Sequence, residues 1–207
     1  MSYKPFYSFQ AKDFEPVVPW EFLDELIAFY SKLKEPRILD ATVNDRRIWG
    51  RGKSRYKYLG MDIDPSVKPD VVGDNTDMPF ADESFDIIVY DPPHVPNQRK
   101  SMFARPYGTG IKSGPGGSLS HTYPPFLTEA ARVLRNEGLL LVKLIDYTHC
   151  GKFHFATAEF YMAAKDAGFE LRMNYILPRK CVIIDPKWKK AYHPRQNHCT
   201  WMVFRKT

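Results

Sequence analysis

Phe85-Asp86-Ile87-Ile88-Val89-Tyr90-Asp91-Pro92-Pro93-His94 is a run of strand residues brought to a sudden stop. Apolar and aromatic residues dominate 85–90, and a proline pair cannot continue a central ladder, so the strand must end at Asp91. Two successive prolines fix the backbone and remove two N–H donors. The Asp91 side chain and the nearby carbonyls are left as acceptors, a set suited to an NH₂ group, which offers two donors. Taken alone, the same tetrapeptide also reads as a rigid turn at a strand end.

Working outward, three earlier segments share the pattern of an apolar run closing on an acid: Arg37–Asp40, Tyr56–Asp64 and Asp70–Asp74. With Asp91 they give four strand tips carrying Asp40, Asp62, Asp74 and Asp91. Any one of these acids reads as a turn residue. Four in register point to the carboxyl edge of an open α/β sheet, where ligands bind, and an acid at the second tip suits ribose hydroxyls. The first loop, Ala41-Thr42-Val43-Asn44-Asp45, contains no glycine, which argues against a pyrophosphate cradle and for a nucleoside without phosphates.

The rest of the chain supplies helices and further strands. Trp20–Lys34 has Leu23, Leu26, Ile27, Tyr30 and Leu33 at helical spacing between Pro19 and Pro36. Thr122–Asn136 reads as a helix with Thr122 as N-cap and Gly138 beyond its end. Leu139–Ile145 is a strand apolar enough to be covered on both faces. A helix over Ala156–Ala167 ends at Gly168, and Phe169–Asp185 and Thr200–Phe204 close the chain as a hairpin. The expected fold is α/β, one Rossmann-like domain over residues 1–207, with a mainly parallel seven-stranded sheet and a C-terminal antiparallel hairpin. Residues 95–121 hold five of the 12 glycines and are expected to form a mobile basic loop.

The 207 residues carry a net charge of +6, concentrated in three places. Residues 46–57 carry +6, residues 92–121 carry +4 and residues 170–207 carry +7, leaving −11 for everything else. Each stretch alone reads equally well as a solvated surface. Together they are the footprint of a polyanion binder, and the basic and aromatic residues of 186–207, among them Lys187, Trp188, Tyr192 and Trp201, could track a phosphate backbone while stacking bases. Three cysteines, no secretory signal and no apolar run of about 20 residues exclude a disulfide scaffold and predict a cytoplasmic protein that does not enter a membrane. His193, His198 and Cys199, and likewise His149, Cys150 and His154, do not match a zinc spacing, so no metal is expected, and Cys181 reads as a strand-packing residue.

With the Asp-Pro-Pro-His motif, the acid-tipped strands and Gly73-Asp74-Asn75-Thr76-Asp77-Met78-Pro79-Phe80, the chain resembles the class I S-adenosylmethionine-dependent amino-methyltransferases of the Asp/Asn/Ser-Pro-Pro-aromatic type, which modify adenine N6 or cytosine N4. The resemblance runs from Ile38 to about Ile145. It implies S-adenosylmethionine as cofactor, held by Asp40, Ala41 and Thr42, by Asp62 at the ribose, and by Asp74 and Asn75 at the adenine. It implies a catalytic set of Asp91, Pro92, Pro93 and His94, with His94 where the family carries a base-stacking aromatic ring. Arg99, Arg105 and Lys112 are the expected contacts to a DNA or RNA substrate, adenine N6 being favoured, with a partner subunit a further candidate for target recognition. The rivals are protein-glutamine or small-molecule N-methylation, and a non-catalytic nucleic-acid-binding module.

Overall fold

The computed structural model describes residues 18–94, 96, 114, 117–149, 151–178 and 198–207. Seven strands form one sheet in the order β3-β2-β1-β4-β5-β9-β8. They are β1 (Ile38–Asp40), β2 (Leu59–Asp62), β3 (Val71–Val72), β4 (Phe85–Tyr90), β5 (Leu134–Leu144), β8 (Phe169–Pro178) and β9 (His198–Lys206). β1 to β5 run parallel, while β9 is antiparallel to both β5 and β8. The expected fold class, including the closing hairpin, is the one observed.

Alternation along β4 divides the core. Phe85, Ile88 and Tyr90 pack with α2 (Tyr123–Val133) and α3 (Ala156–Asp166) on one face. Ile87 and Val89 pack on the other face with Leu23, Leu26 and Ile27 of α1 (Pro19–Tyr30) and with Ile48 and Trp49. Both faces are buried, which accounts for the near-continuous apolar character of β4 and β5. Among the described residues no α-helix joins β1, β2, β3 and β4. The short 3-10 turn Arg47–Trp49 covers the sheet after β1, its Trp49 ring stacked on Tyr58 at 4.1 Å between centroids.

Several boundaries differ from the sequence expectation. α1 ends at Tyr30, not Lys34: Ser31 turns to extended backbone, the Tyr30 hydroxyl lies 2.9 Å from that of Tyr175, and Leu33 is left exposed. Thr122 does not cap α2, because it is itself in the α region and its Oγ1 donates to the Leu119 carbonyl. Pro124 and Pro125 in the first turn have no N–H to satisfy. β5 begins at Leu134, since Phe85 pairs with Leu134 and Ile87 with Leu139, so 135–138 loop out. The left-handed residue of that corner is Glu137 (φ 60°), not Gly138. A small hairpin, β6 (Tyr147–His149) with β7 (Lys152–His154), was not expected from the sequence. The expected irregular stretch 95–121 closes with ordered turns: Leu119 is buried, its N–H donates to the Tyr147 hydroxyl, and Ser120–Thr122 is a 3-10 helix.

Candidate active site

A cavity of about 220 Å³ opens at the carboxyl edge of the parallel strands. Ala41, Thr42 and Asn44 line it after β1, Asp62, Ile63, Asp64 and Val67 after β2, and Asp74, Asn75 and Thr76 after β3. Tyr90, Asp91, Pro92 and Pro93 line it after β4, and Thr122 from the start of α2. The structure therefore brings together Ala41, Thr42, Asp62, Asp74, Asn75, Asp91, Pro92 and Pro93 of the expected site residues.

The Gly-free loop after β1 still turns tightly, because Asn44 itself occupies the left-handed region (φ 43°), a conformation asparagine tolerates better than most residues. The Asp62 carboxylate holds this turn: Oδ2 accepts the Asn44 N–H at 2.9 Å and Oδ1 accepts the Asp64 N–H at 3.0 Å. Each of its oxygens retains a second lone pair. Ile63 stands 58% exposed beside it. The loop after β3 is fixed from α2. Arg132 donates to the carbonyls of Phe80 and Met78 and to Asp82, and Glu129 accepts the Met78 N–H at 2.7 Å. Tyr90 forms the floor, stacked on Phe126 at 3.7 Å between ring centroids.

Asp40 does not line the cavity. It is completely buried, accepting Trp49 Nε1–H at 2.6 Å on one oxygen and the Thr42 N–H at 3.0 Å on the other. Burial pushes its carboxyl up to about 7; the two hydrogen bonds oppose the rise, and the charges of Asp91 and Asp62 add to it. Expected in the cofactor loop, Asp40 instead turns its carboxylate inward onto the Trp49 indole and the Thr42 N–H.

Asp91 lies on the same face, one strand over. The pairing of Tyr90 with Val142 sets Asp91 beside Lys143, whose Nζ donates to Asp91 Oδ2 at 2.8 Å. His94 is not among the lining residues; its Nε2 lies 3.2 Å from Asp91 Oδ1, turned onto the carboxylate. Burial alone would raise the Asp91 pKa. The Lys143 charge and then the hydrogen bond and charge of His94 reverse that, holding the carboxyl well below its ordinary range. The Asp91 N–H donates to Thr42 Oγ1 at 2.9 Å, so Thr42 bridges Asp40 and Asp91. Lys143 escaped the sequence reading, although it is the one charge in the apolar run Leu139–Ile145.

Arg99, Arg105 and Lys112 lie outside the described residues, as do Cys150, Cys181 and most of the basic C-terminal segment. Trp201, expected at a nucleic-acid surface, is instead fully buried in the core on β9 with Cys199. In the first basic stretch, Arg47 and Arg51 both reach Asp45, Arg46 lies 3.6 Å from Asp70 and Arg55 lies 3.4 Å from Glu25. Among the described residues no group of three or more His, Cys, Asp or Glu side chains could hold a metal ion, and no helix is long and apolar enough to cross a membrane.

The strand order and the edge-on cavity define the Rossmann-like methyltransferase fold. A TehB-like S-adenosylmethionine-dependent methyltransferase from Corynebacterium glutamicum is similar with a TM-score of 0.52 at 20% identity, over 89% of this chain and 86% of its own. The 1,6-didemethyltoxoflavin-N1-methyltransferase of Burkholderia thailandensis, solved with its substrate and S-adenosylhomocysteine, matches with a TM-score of 0.54 at 14% identity, over 91% and 76% of the two chains. The [4+2]-cyclase SpnF matches equally well, with a TM-score of 0.55 at 14% identity over 90% and 80%, so the shared fold does not by itself fix the reaction. No protein-family model and no curated protein sequence matches the chain.

Proposed function

We propose that the protein is an S-adenosylmethionine-dependent N-methyltransferase acting on the exocyclic NH₂ of a nucleobase in DNA or RNA, adenine N6 before cytosine N4. The observation that carries this reading is that the Asp91-Pro92-Pro93 acceptor set opens into the same cavity as Asp62, Asp74 and Asn75. The fit to the cofactor rests on chemistry present at that wall. Ile63 is an exposed aliphatic surface next to an acid with spare lone pairs, which suits a purine over a ribose. Asp62 would hold the ribose hydroxyls, and Asp74 with Asn75 the adenine, while Ala41 and Thr42 would face the amino-acid end. When bound, the cofactor supplies an electrophilic methyl group on a sulfonium.

The chain's own work is orientation. The lone pair of a nucleobase amine is delocalised into the ring, and drawing its N–H bonds toward fixed acceptors favours a tetrahedral nitrogen. Asp91 accepts one N–H and the Pro92 carbonyl the other, holding the nitrogen for in-line attack. On accepting the methyl group the nitrogen would release one proton to water, and the electron pair of the broken bond would leave with the cofactor. Asp91, held ionised, acts as an acceptor and not as the base. Arg47 and Arg51 are paired with Asp45 at the surface, where such pairs are worth about 0–1 kcal/mol, so phosphates can compete for them.

Labelled methyl transfer to total DNA, total RNA and protein, followed by nucleoside mass spectrometry, tests the reading. N6-methyladenine or N4-methylcytosine is the expected product. Label appearing only in protein or in small molecules overturns the nucleobase assignment.

A further inference from the structure

Lys143 is an oddity of composition and of placement. It is the one charge in the apolar run Leu139–Ile145, its side chain is 13% exposed, and its ammonium sits on a carboxylate that is 16% exposed. A largely buried ion pair of this kind is weak support for stability, since apolar residues of similar volume often serve as well. What the pair does change is the charge that the cavity presents. Asp91 lines the cavity and Lys143 does not. An unpaired carboxylate there would draw in alkylammonium ions, which are protonated at neutral pH and so have no lone pair to methylate. Lys143 cancels that attraction and repels a second cation at the same oxygen atoms.

The carboxylate keeps enough acceptor capacity for a neutral donor. It has about four lone-pair sites, of which Lys143 takes one on Oδ2 and His94 faces Oδ1, so an N–H from a conjugated amine still finds a partner. We propose that Lys143 is a specificity-determining residue, which sets the motif to accept neutral, conjugated NH₂ groups and to reject alkylammonium. The proposal rests on the reading of Asp91 as the amine acceptor and adds to it the charge class of the acceptor substrate.

The test follows the carboxyl carbon of Asp91 by NMR while two probes are titrated at pH 7.5, with 1-methylcytosine as the neutral amine and n-butylamine as the cation. The wild-type protein should show 1-methylcytosine shifting the Asp91 signal, with n-butylamine at least tenfold weaker. Lys143→Met should reverse the order, gaining tenfold or more for n-butylamine, while Lys143→Arg keeps the wild-type order. Lys143→Gln, whose amide still donates to the carboxylate without a charge, reads the same contrast if the Met variant does not fold. A wild-type protein that takes both probes equally at Asp91, or a Lys143→Gln variant that still excludes n-butylamine, overturns the proposal. Absence of methyl transfer to nucleic acid would sink the proposed reaction while leaving this binding contrast intact, so the two failures are told apart.

Discussion

Two carboxylates stand at adjacent strand tips, on the same face, one fully buried and the other 16% exposed, and they behave oppositely. Asp40 at the end of β1 meets an indole N–H and a backbone N–H, and its carboxyl is pushed up to about 7. Asp91 at the end of β4 meets an ammonium and an imidazole, and its carboxyl is held well below the ordinary range. Desolvation is the largest influence in both. A dipole does not offset it, whereas a full charge at 2.8 Å does. The partner decides whether a buried acid is a packing element or a standing negative charge, and only the second is placed on the cavity wall.

The sharpest way to break this contrast is at Asp91. Asp91→Ala should lower methyl transfer by at least about 10³-fold while S-adenosylmethionine binding stays within a few-fold, measured by turnover and calorimetry. The double variant Asp91→Ala/Lys143→Met removes the stranded ammonium and should be equally inactive. Substantial turnover in either would remove Asp91 from the reaction.

The second way is by pH. Asp40 binds its proton more tightly in the folded chain than its unfolded value of 3.8, so the unfolded state releases a proton that the folded state keeps. Its contribution to stability therefore declines as pH rises from about 4 to 7, by up to about 4 kcal/mol, and then levels. Asp91 has the opposite sign: its pairing stabilises the fold above the unfolded carboxylate pKa, and this is lost as pH falls below it. Urea midpoints at pH 5 and pH 8 should show a smaller difference for Asp40→Asn than for the wild type; an identical difference would contradict the Asp40 assignment.

Two smaller changes sharpen it further. Trp49→Phe leaves Asp40 without its indole partner and should cost about 1–3 kcal/mol by chemical denaturation, more at pH 8 than at pH 5. Thr42→Val keeps the Thr42 N–H on Asp40 but strips the acceptor from the Asp91 N–H. It should cost about 1 kcal/mol of stability and lower turnover more than it weakens cofactor binding. Equal loss in both would show that Thr42 serves the cofactor alone.

The four acid-tipped segments could be seen in the sequence because strand, acid and turn are local patterns. So could the Asp-Pro-Pro stop, since proline acts on its own backbone. What stayed hidden depended on register and on side chains distant in sequence. Nothing local says that Asp40 turns to Trp49 instead of the cavity, or that β5 slides to set Lys143 against Asp91. Trp201 misled in the same way: it falls within the basic and aromatic segment 186–207, whereas in the sheet it is a core residue. A lone lysine in Leu-Leu-Leu-Val-Lys-Leu-Ile was a usable signal, because an apolar strand rarely holds a charge without a counter-ion waiting for it.

The helix-free connections between β1 and β4 also bear on how the molecule breathes. β2 and β3 are short, lie toward one edge of the sheet, and are held from outside by Trp49 and by the Arg132 staple, whereas β4, β5 and β9 are clamped on both sides. Local opening should therefore begin at β2–β3 with a free energy well under that of global unfolding. Amide hydrogens of Met61 and Asp62 would then exchange with deuterium long before those of Ile88 and Leu141, so that among the described strands the Asp62 wall of the cavity loosens first and the tip of β4 among the last.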